Sequence, residues 1–377
     1  MRNVLSPHPE AKAQAGLPAL TIPVGFAGGG LRVRLELHAA VRQRLGGVNA
    51  TRQGLLHCDR ALPRHPTAVF VRAAGIELFG GDVHELSLPD PRSPGTGEVL
   101  IEVQAAGVGH WDDIVRAGSW EVGLQPPMAL GVASSGTLIA VGADVNGWSV
   151  GNEVMTHPVP LLDQGCWSEL LLARADVLAA KPSSVSWEAA GAFPVPALTA
   201  EEAVRAAIRE SGPERLLVHG AGGVTGQLIA ALAVVLGAEV AVTAGPRSAE
   251  LLRELGVEAV FDYHDSGWPA RVRDWGGGGV PAAINAVPGG EATALSVVAD
   301  GGRLVTITGA PPSAQRGVTI VDVYVQADGD RLARMGERLG NGEIAISVGR
   351  VYGLAESAEA LDLVLSGTGV GAVVLRV

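Results

Sequence analysis

Glycines at 220, 222, 223 and 226 carry the first chemistry legible in the chain. The stretch from Leu216 to Gly226 reads Leu-Leu-Val-His-Gly-Ala-Gly-Gly-Val-Thr-Gly, and an apolar helical stretch follows over residues 227–237. This is a strand, a tight turn and a helix. Glycines in such a turn let the backbone approach a pyrophosphate, and the helix N-terminus offers free N–H groups and a partial positive charge. The expectation is a bound dinucleotide, cradled by Gly220, Ala221, Gly223, Val224 and Gly226. A tight turn in some other α/β protein is the bland alternative, because glycine makes up 52 of 377 residues. The flanks favour the dinucleotide. An apolar strand at 239–243, a helix at 249–255, a stop at Gly256 and a short strand at 259–261 complete a βαβαβ order.

The residues after the second of these strands select the dinucleotide. NAD preference needs a carboxylate there to accept from the ribose 2′-hydroxyl. The chain reads Val242-Thr-Ala-Gly-Pro-Arg247-Ser248, with no acid before Glu250. Arg247 could clamp a 2′-phosphate in a bidentate pair and Ser248 could add a hydrogen bond, which points to NADPH. A solvated loop arginine is the competing reading. His219, inside the first strand, reads as a packed core histidine.

A second cluster runs from Gly109 to Trp120, Gly-His-Trp-Asp-Asp-Ile-Val-Arg-Ala-Gly-Ser-Trp. His110 is its one histidine, the residue type suited to moving protons at neutral pH, so it is a candidate proton donor. A histidine without catalytic duty fits equally. Trp111 and Trp120 could form flat walls for a planar substrate, or could simply pack in the core.

Elements must hold these clusters in place, and the composition bounds them. The length allows two domains and a large core. Hydrophobic residues make up 47% and aromatics only 4%, so that core is aliphatic and alanine-rich. The longest apolar run, 228–236, is too short to span a bilayer, and no signal peptide is visible at the start. Only Cys58 and Cys166 are present, so no thiolate cluster forms and a reduced, cytoplasmic setting is expected. The net charge of −11 argues against nucleic acid as a partner. Residues 1–66 nevertheless carry nine Lys or Arg against three Asp or Glu. They are read as a basic extension and a candidate for disorder, with one short amphipathic helix at 31–45. The sequon at Asn49 is read as chance.

From residue 68 short strands dominate: 68–73, 76–79, 98–103, 135–141, 153–155 and 168–172. Helical patterns begin at Trp187. Residues 328–339 and 354–365 read as helices, and 371–377 reads as a closing strand that returns to the first domain.

The order of these segments resembles the medium-chain dehydrogenase/reductase superfamily over roughly residues 68–377. Gly97-Glu-Val-Leu-Ile-Glu-Val103 with Ala105-Ala-Gly-Val108 looks like the family's first long strand and active-site loop. Val150-Gly-Asn-Glu-Val154, Leu198-Thr-Ala200 and Gly301-Gly-Arg-Leu-Val305 match later family segments. The resemblance implies an α/β fold. A Rossmann-type doubly wound parallel sheet domain would span 189–343. A mostly β, barrel-like (GroES-like) catalytic domain would span 67–188 and 344–377.

Zinc members carry a Cys-His pair where Gly109 and His110 stand, and a Gly-His-Glu motif where Gly131-Val-Ala133 stands. A catalytic zinc needs three His, Cys or carboxylate ligands, and His110, Asp112 and Cys166 show no recognised spacing. The resemblance is therefore to the zinc-free quinone oxidoreductase and enoyl reductase branch, whose Gly-x-x-Gly-x-x-Gly fits Gly220, Gly223 and Gly226. It implies that Thr199, Tyr263, Asn285, Val287 and Gly309 approach the cofactor, with Tyr263 also readable as a strand-end core residue. It further implies that Asp112 and Arg116 belong to the family's loop, where they could pair. Asp112 joins His110 as a candidate catalytic residue.

The expected function is NADPH-dependent, zinc-independent reduction of a quinone or an activated conjugated carbonyl, a small planar molecule. An enoyl reductase acting on a thioester or polyketide-like intermediate is the nearest alternative, since Trp120 stands near where such enzymes carry a tyrosine. A non-catalytic NADPH-binding redox sensor is the alternative of another class. A homodimer through the nucleotide-domain sheet edge is a family-level expectation.

Overall fold

The computed structural model describes residues 70–208, 215–367 and 370–377. The extension expected over 1–66, with its helix, Cys58 and the sequon, lies outside the described residues. The described residues begin with β1 (Phe70–Ile76) and β2 (His84–Pro89), an antiparallel hairpin. β3 (Glu98–Val108), α1 (His110–Arg116), β4 (Met128–Ala129), β5 (Ser134–Val141), β6 (Glu153–Thr156), β7 (Leu170–Arg174) and β8 (Leu178–Ala180) follow. Two helices, α2 (Trp187–Ala192) and α3 (Pro194–Ala207), lead into the second half.

There β9 (Arg215–His219), α4 (Val224–Val235), β10 (Glu239–Ala244), α5 (Pro246–Glu254), β11 (Ala259–Asp262), α6 (Trp268–Trp275), β12 (Val280–Asn285), α7 (Glu291–Val297), β13 (Val298–Thr306) and β14 (Thr319–Asp322) alternate. The chain closes with α8 (Gly329–Gly340), β15 (Val348–Gly353), α9 (Ser357–Ser366) and β16 (Ala372–Arg376).

The second half is the doubly wound sheet that the glycine turn requires. Its strands are ordered β11-β10-β9-β12-β13-β14 and pair in parallel throughout. Alternation along each strand explains why helices cover both faces. Leu216 and Val218 enter one apolar cluster with α3, α4 and α8, while Leu217 enters another with α6 and α7. The strand order reverses between β9 and β12, the switch point at whose carboxyl ends sheets of this kind form a ligand crevice.

The first half builds a curled sheet ordered β15-β16-β3-β5-β6-β8, with β7 also on β3. β16 pairs antiparallel with β3, Val374 opposite Gly107, so the closing strand does return to the first half as expected. Among the described residues no helix is long and apolar enough to cross a membrane.

Several elements differ from the sequence expectation. Of the strand expected at 76–79 only Ile76 is strand, and 77–79 turn away, because β1 ends at Gly75 and Ile76, which pair with β4. A Cβ at Gly75 would collide with the Met128 carbonyl, so only glycine permits that approach. β2 goes unannounced, with just Leu86 and Leu88 buried among exposed neighbours. Residues 110–116 form a helix rather than a loop. α5 begins at Pro246, which suits a first helical position, so Arg247 and Ser248 lie in its first turn.

Candidate active site

The turn after β9 is shaped by what its glycines lack. Gly220 sits at φ +93°, and a Cβ there would lie 2.5 Å from Val287 Cγ2. A Cβ at Gly226 would strike the Gly220 carbonyl oxygen, so α4 can press onto the turn only with glycine at this place. Gly223 faces open space, with nothing within 4 Å of its missing Cβ. It is also the N-cap of α4 and caps no N–H with a side chain, so the first-turn N–H groups stay available to an anion. Ala221 is buried, and its N–H donates to the Thr243 carbonyl (3.0 Å). Val224 packs against the cluster of Ala105, Ala192, Ala372 and Val374, which ties the turn to the first-half sheet.

Thr243, which the sequence did not single out, braces the turn from β10. Its hydroxyl accepts from the Gly220 N–H (2.9 Å) and bonds His219 Nδ1 (2.7 Å). His219 is buried and stacks on Trp268 at 4.9 Å. Burial lowers its pKa to about 4, so it is neutral, as a packed strand-end histidine should be.

At the carboxyl ends of β10 and β11, Ser248 Oγ lies 3.6 Å from the Cβ position of Gly222, beside the turn. Arg247 is exposed and makes no ion pair among the described residues. Tyr263 is 53% exposed and stacks on His264 at 4.1 Å, which disfavours the core reading for the tyrosine. Both rings lie against Gly245. Backbone and side-chain hydrogen bonds from His264 hold the Asp262 carboxyl below its usual range.

At the carboxyl ends of β12 and β13 polar side chains form a largely buried network. Asn285 donates from Nδ2 to the Val287 carbonyl (3.0 Å) and accepts the Val287 N–H (3.3 Å), which fixes the loop against Gly220. The Thr308 hydroxyl donates to Glu291 Oε1 (2.5 Å) and bonds Thr306 Oγ1 (2.9 Å). Burial raises the Glu291 pKa, but hydrogen bonds from Thr308 and two backbone N–H groups bring it below the ordinary value. Gly309 follows at φ +70°, and the Tyr324 hydroxyl stands 3.6 Å from its Cβ position. Thr199 is half-buried, and its hydroxyl donates to Val195 O in its own helix (2.8 Å). Neither Glu291 nor Tyr324 carries a sequence signal, because their neighbours are distant in the chain.

In the first half, Gly109 caps α1 with extended backbone, and its N–H donates to Asp112 Oδ2 (2.8 Å). Asp112 is fully buried, which raises its pKa well above the carboxylate range against that one hydrogen bond. It does not pair with Arg116. Arg116 bonds Asp113 (2.7 Å) and the Gly80 and Gly81 carbonyls, because Asp112 points inward to close its own helix turn. Asp112 thus positions the segment and is not open to a substrate.

His110 is exposed at the first residue of α1. The Trp111 indole folds over Gly109 and occupies the space where a side chain at 109 would sit. Trp120 is half-buried beside His157, with ring centroids 6.1 Å apart. Both tryptophans also pack against the first-half core. His157 is buried and bonds the Val132 carbonyl through Nδ1 (2.6 Å), and burial lowers its pKa to about 4.

The places of the missing zinc ligands are apolar. Val132 and Ala133 are fully buried, and the Trp167 ring packs against Gly131. His110, Asp112 and Cys166 do not form a ligand set: His110 is exposed and the other two are sealed in the core. Burial pushes the Cys166 thiol up to about 12. Among the described residues no group of three or more His, Cys, Asp or Glu is placed to hold a metal ion.

The comparisons with known proteins agree with this architecture. Residues 95–186 match the alcohol dehydrogenase GroES-like domain, and residues 255–375 match the zinc-binding dehydrogenase family. A crystal structure of an NAD-dependent alcohol dehydrogenase superposes with a TM-score of 0.73 at 27% identity, covering 81% of this chain and 99% of that one. The chain belongs to the medium-chain dehydrogenase/reductase superfamily. This superfamily consists of oxidoreductases that use a nicotinamide dinucleotide.

Another member, the quinone oxidoreductase from Coxiella burnetii, superposes with a TM-score of 0.72 at 25% identity over 82% of this chain and 99% of that one. Among curated relatives, a mycocerosic acid synthase-like polyketide synthase of Mycobacterium tuberculosis is 30% identical over 65% of this chain. One from Mycolicibacterium smegmatis is 30% identical over 71%. The chain spans only 12% and 14% of the length of those two synthases.

Proposed function

We propose that the chain is an NADPH-dependent, zinc-independent reductase that acts on a small conjugated carbonyl compound. The carrying observation is the switch point at the carboxyl ends of β9 and β12. Its glycine turn presents N–H groups, and Arg247 and Ser248 stand beside it where an NAD enzyme needs a carboxylate. The cradle fits the dinucleotide: Gly223 faces open space, and the first turn of α4 has no side-chain cap. Gly220, Ala221, Gly223, Val224 and Gly226 would hold the pyrophosphate. Arg247, Ser248 and Tyr263 would hold the adenosine half, and Asn285, Val287, Gly309 and Thr199 the nicotinamide half. Bound there, NADPH supplies a hydride.

Zinc independence rests on the donors present, since buried Val132 and Ala133 cannot ligate a metal. The electrophile must then need no Lewis acid. Quinones and α,β-unsaturated carbonyls qualify, because conjugation spreads the arriving charge. Trp111 and Trp120 supply flat apolar surface, and Asp112 holds their segment in place. An unsaturated carbonyl is favoured by the polyketide synthase relatives, a quinone by the quinone oxidoreductase neighbours. The catalytic domain is assigned to 67–188 and 344–377 and the nucleotide domain to 189–343.

The test is oxidation of NADPH and of NADH with a panel of enones, enoyl thioesters and quinones. The reading predicts turnover with NADPH well above NADH. Preference for NADH overturns the cofactor assignment, and tight NADPH binding without turnover of any acceptor favours a sensor.

A further inference from the structure

We propose that Tyr324 is the proton donor that completes reduction at this site, and that the proton goes to the α-carbon of an α,β-unsaturated carbonyl. This rests on the hydride-transfer reading above and assigns it a residue and a substrate class.

In the segment around α1 an indole does not give up its proton and Asp112 is sealed in the core, so exposed His110 is the one other candidate donor, in the first half rather than at the carboxyl ends of the parallel strands. The chain has three tyrosines. Tyr352 lies in β15 of the other sheet, and Tyr263 follows β11 in the adenosine half. Only Tyr324 stands at the carboxyl ends of β12, β13 and β14, the half of the crevice that takes the second nucleotide of a dinucleotide. It follows β14 by two residues and is 64% exposed. Its hydroxyl lies over Gly309, and the Thr308 before that glycine is clamped by Glu291, so the phenol stands beside a loop that is held in place. The Asp322 carboxylate, two residues earlier, raises the phenol's pKa, which keeps the donor protonated.

The chemistry follows from that. Hydride forms the new bond at the β-carbon. The carbon–carbon π pair moves to the α-carbon as an enolate. That pair takes the proton of Tyr324 as its O–H bond breaks, and the O–H electrons stay on the phenolate oxygen. The exposed phenolate then regains a proton from water, which it does readily because the Asp322 carboxylate disfavours a second negative charge. An enolate carbon is basic enough to draw a proton from such a tightly held phenol. A hydroquinone anion is far less basic and takes its protons from water. Tyr324 is therefore required for an enone and dispensable for a quinone.

The variant Tyr324→Phe keeps the exposed ring and removes only the hydroxyl. Enone turnover by NADPH should fall by about 100-fold or more, the usual worth of a general acid. NADPH affinity by fluorescence titration, quinone turnover and melting temperature should not change. In deuterated water the parent should label the α-carbon of an α-methyl enone with one configuration, and the variant with both.

A readout free of turnover is the near-ultraviolet phenolate absorbance. Added NADP⁺ should lower the titration midpoint of one tyrosine in the parent and of none in Tyr324→Phe. Unchanged enone turnover, or a tyrosine titration indifferent to NADP⁺, overturns the assignment while leaving the reductase reading intact. A parent inactive toward every acceptor overturns both.

Discussion

Arg247 and Ser248 are the residues on which the choice of cofactor turns. Arg247 has no partner of its own among the described residues, so it can meet a 2′-phosphate without breaking an ion pair. Arg247→Ala should raise the NADPH KM about tenfold or more, matching a charged hydrogen bond worth roughly 1.5–3 kcal/mol, and leave the NADH KM unchanged. Arg247→Lys should not restore it fully, because an ammonium cannot bind bidentately. Initial rates over a range of each cofactor decide the matter.

Two buried histidines predict a pH dependence of stability. His157 and His219 have folded pKa values of about 4 against an ordinary 6.5. Between those values the unfolded chain binds protons that the folded chain refuses. Stability is therefore full above pH 6.5 and falls as pH drops toward 4, by up to about 3 kcal/mol for each histidine. Urea unfolding at neutral and acid pH measures this, and His157→Gln should flatten the acid limb. Asp112 shows how far residue type alone reaches. The family pattern marks it, and only the fold shows that it caps Gly109 rather than pairing with Arg116.

The element that tolerates least change is the joint between β9 and α4. Gly226 lets the helix rest on the Gly220 carbonyl, and any Cβ there collides with backbone that cannot move away. Gly226→Val should cost about 1–3 kcal/mol by overpacking and should also displace the N–H groups that face the pyrophosphate. Denaturant melts and a cofactor titration would show both losses together. A variant that binds NADPH as tightly as the parent would contradict the role given to this turn. Elsewhere, short elements hide from sequence reasoning. β2 buries only two leucines, and α1 spans seven residues, too few for a helical period to emerge.

For the whole molecule, the cofactor is expected to act as a stabiliser, since the cradle draws on β9, β10, β12 and β13 together and exists only when the sheet is assembled. Ligand present at about a hundred times its Kd adds about 2.7 kcal/mol. Saturating NADPH should raise the melting temperature by several degrees, and NADH at equal concentration by clearly less. Equal shifts would count against the assignment of Arg247 and Ser248. The closing strand is part of the same cooperativity. β16 lies between β15 and β3, so a chain ending at Gly371 should fail to fold.

The doubly wound sheet, the glycine turn and the want of zinc donors at the family's positions were legible in the residues alone. Those features are written in local chemistry: strand and helix periods, glycines where a side chain would collide, and residue types that cannot ligate. Tertiary structure alone decided which polar groups share a site. Thr243 reaches Gly220, Glu291 clamps Thr308, and Tyr324 stands over Gly309 because parallel strands bring their carboxyl ends to one crevice from well-separated positions in the chain. Strand pairing sets that proximity, and no spacing in the sequence encodes it.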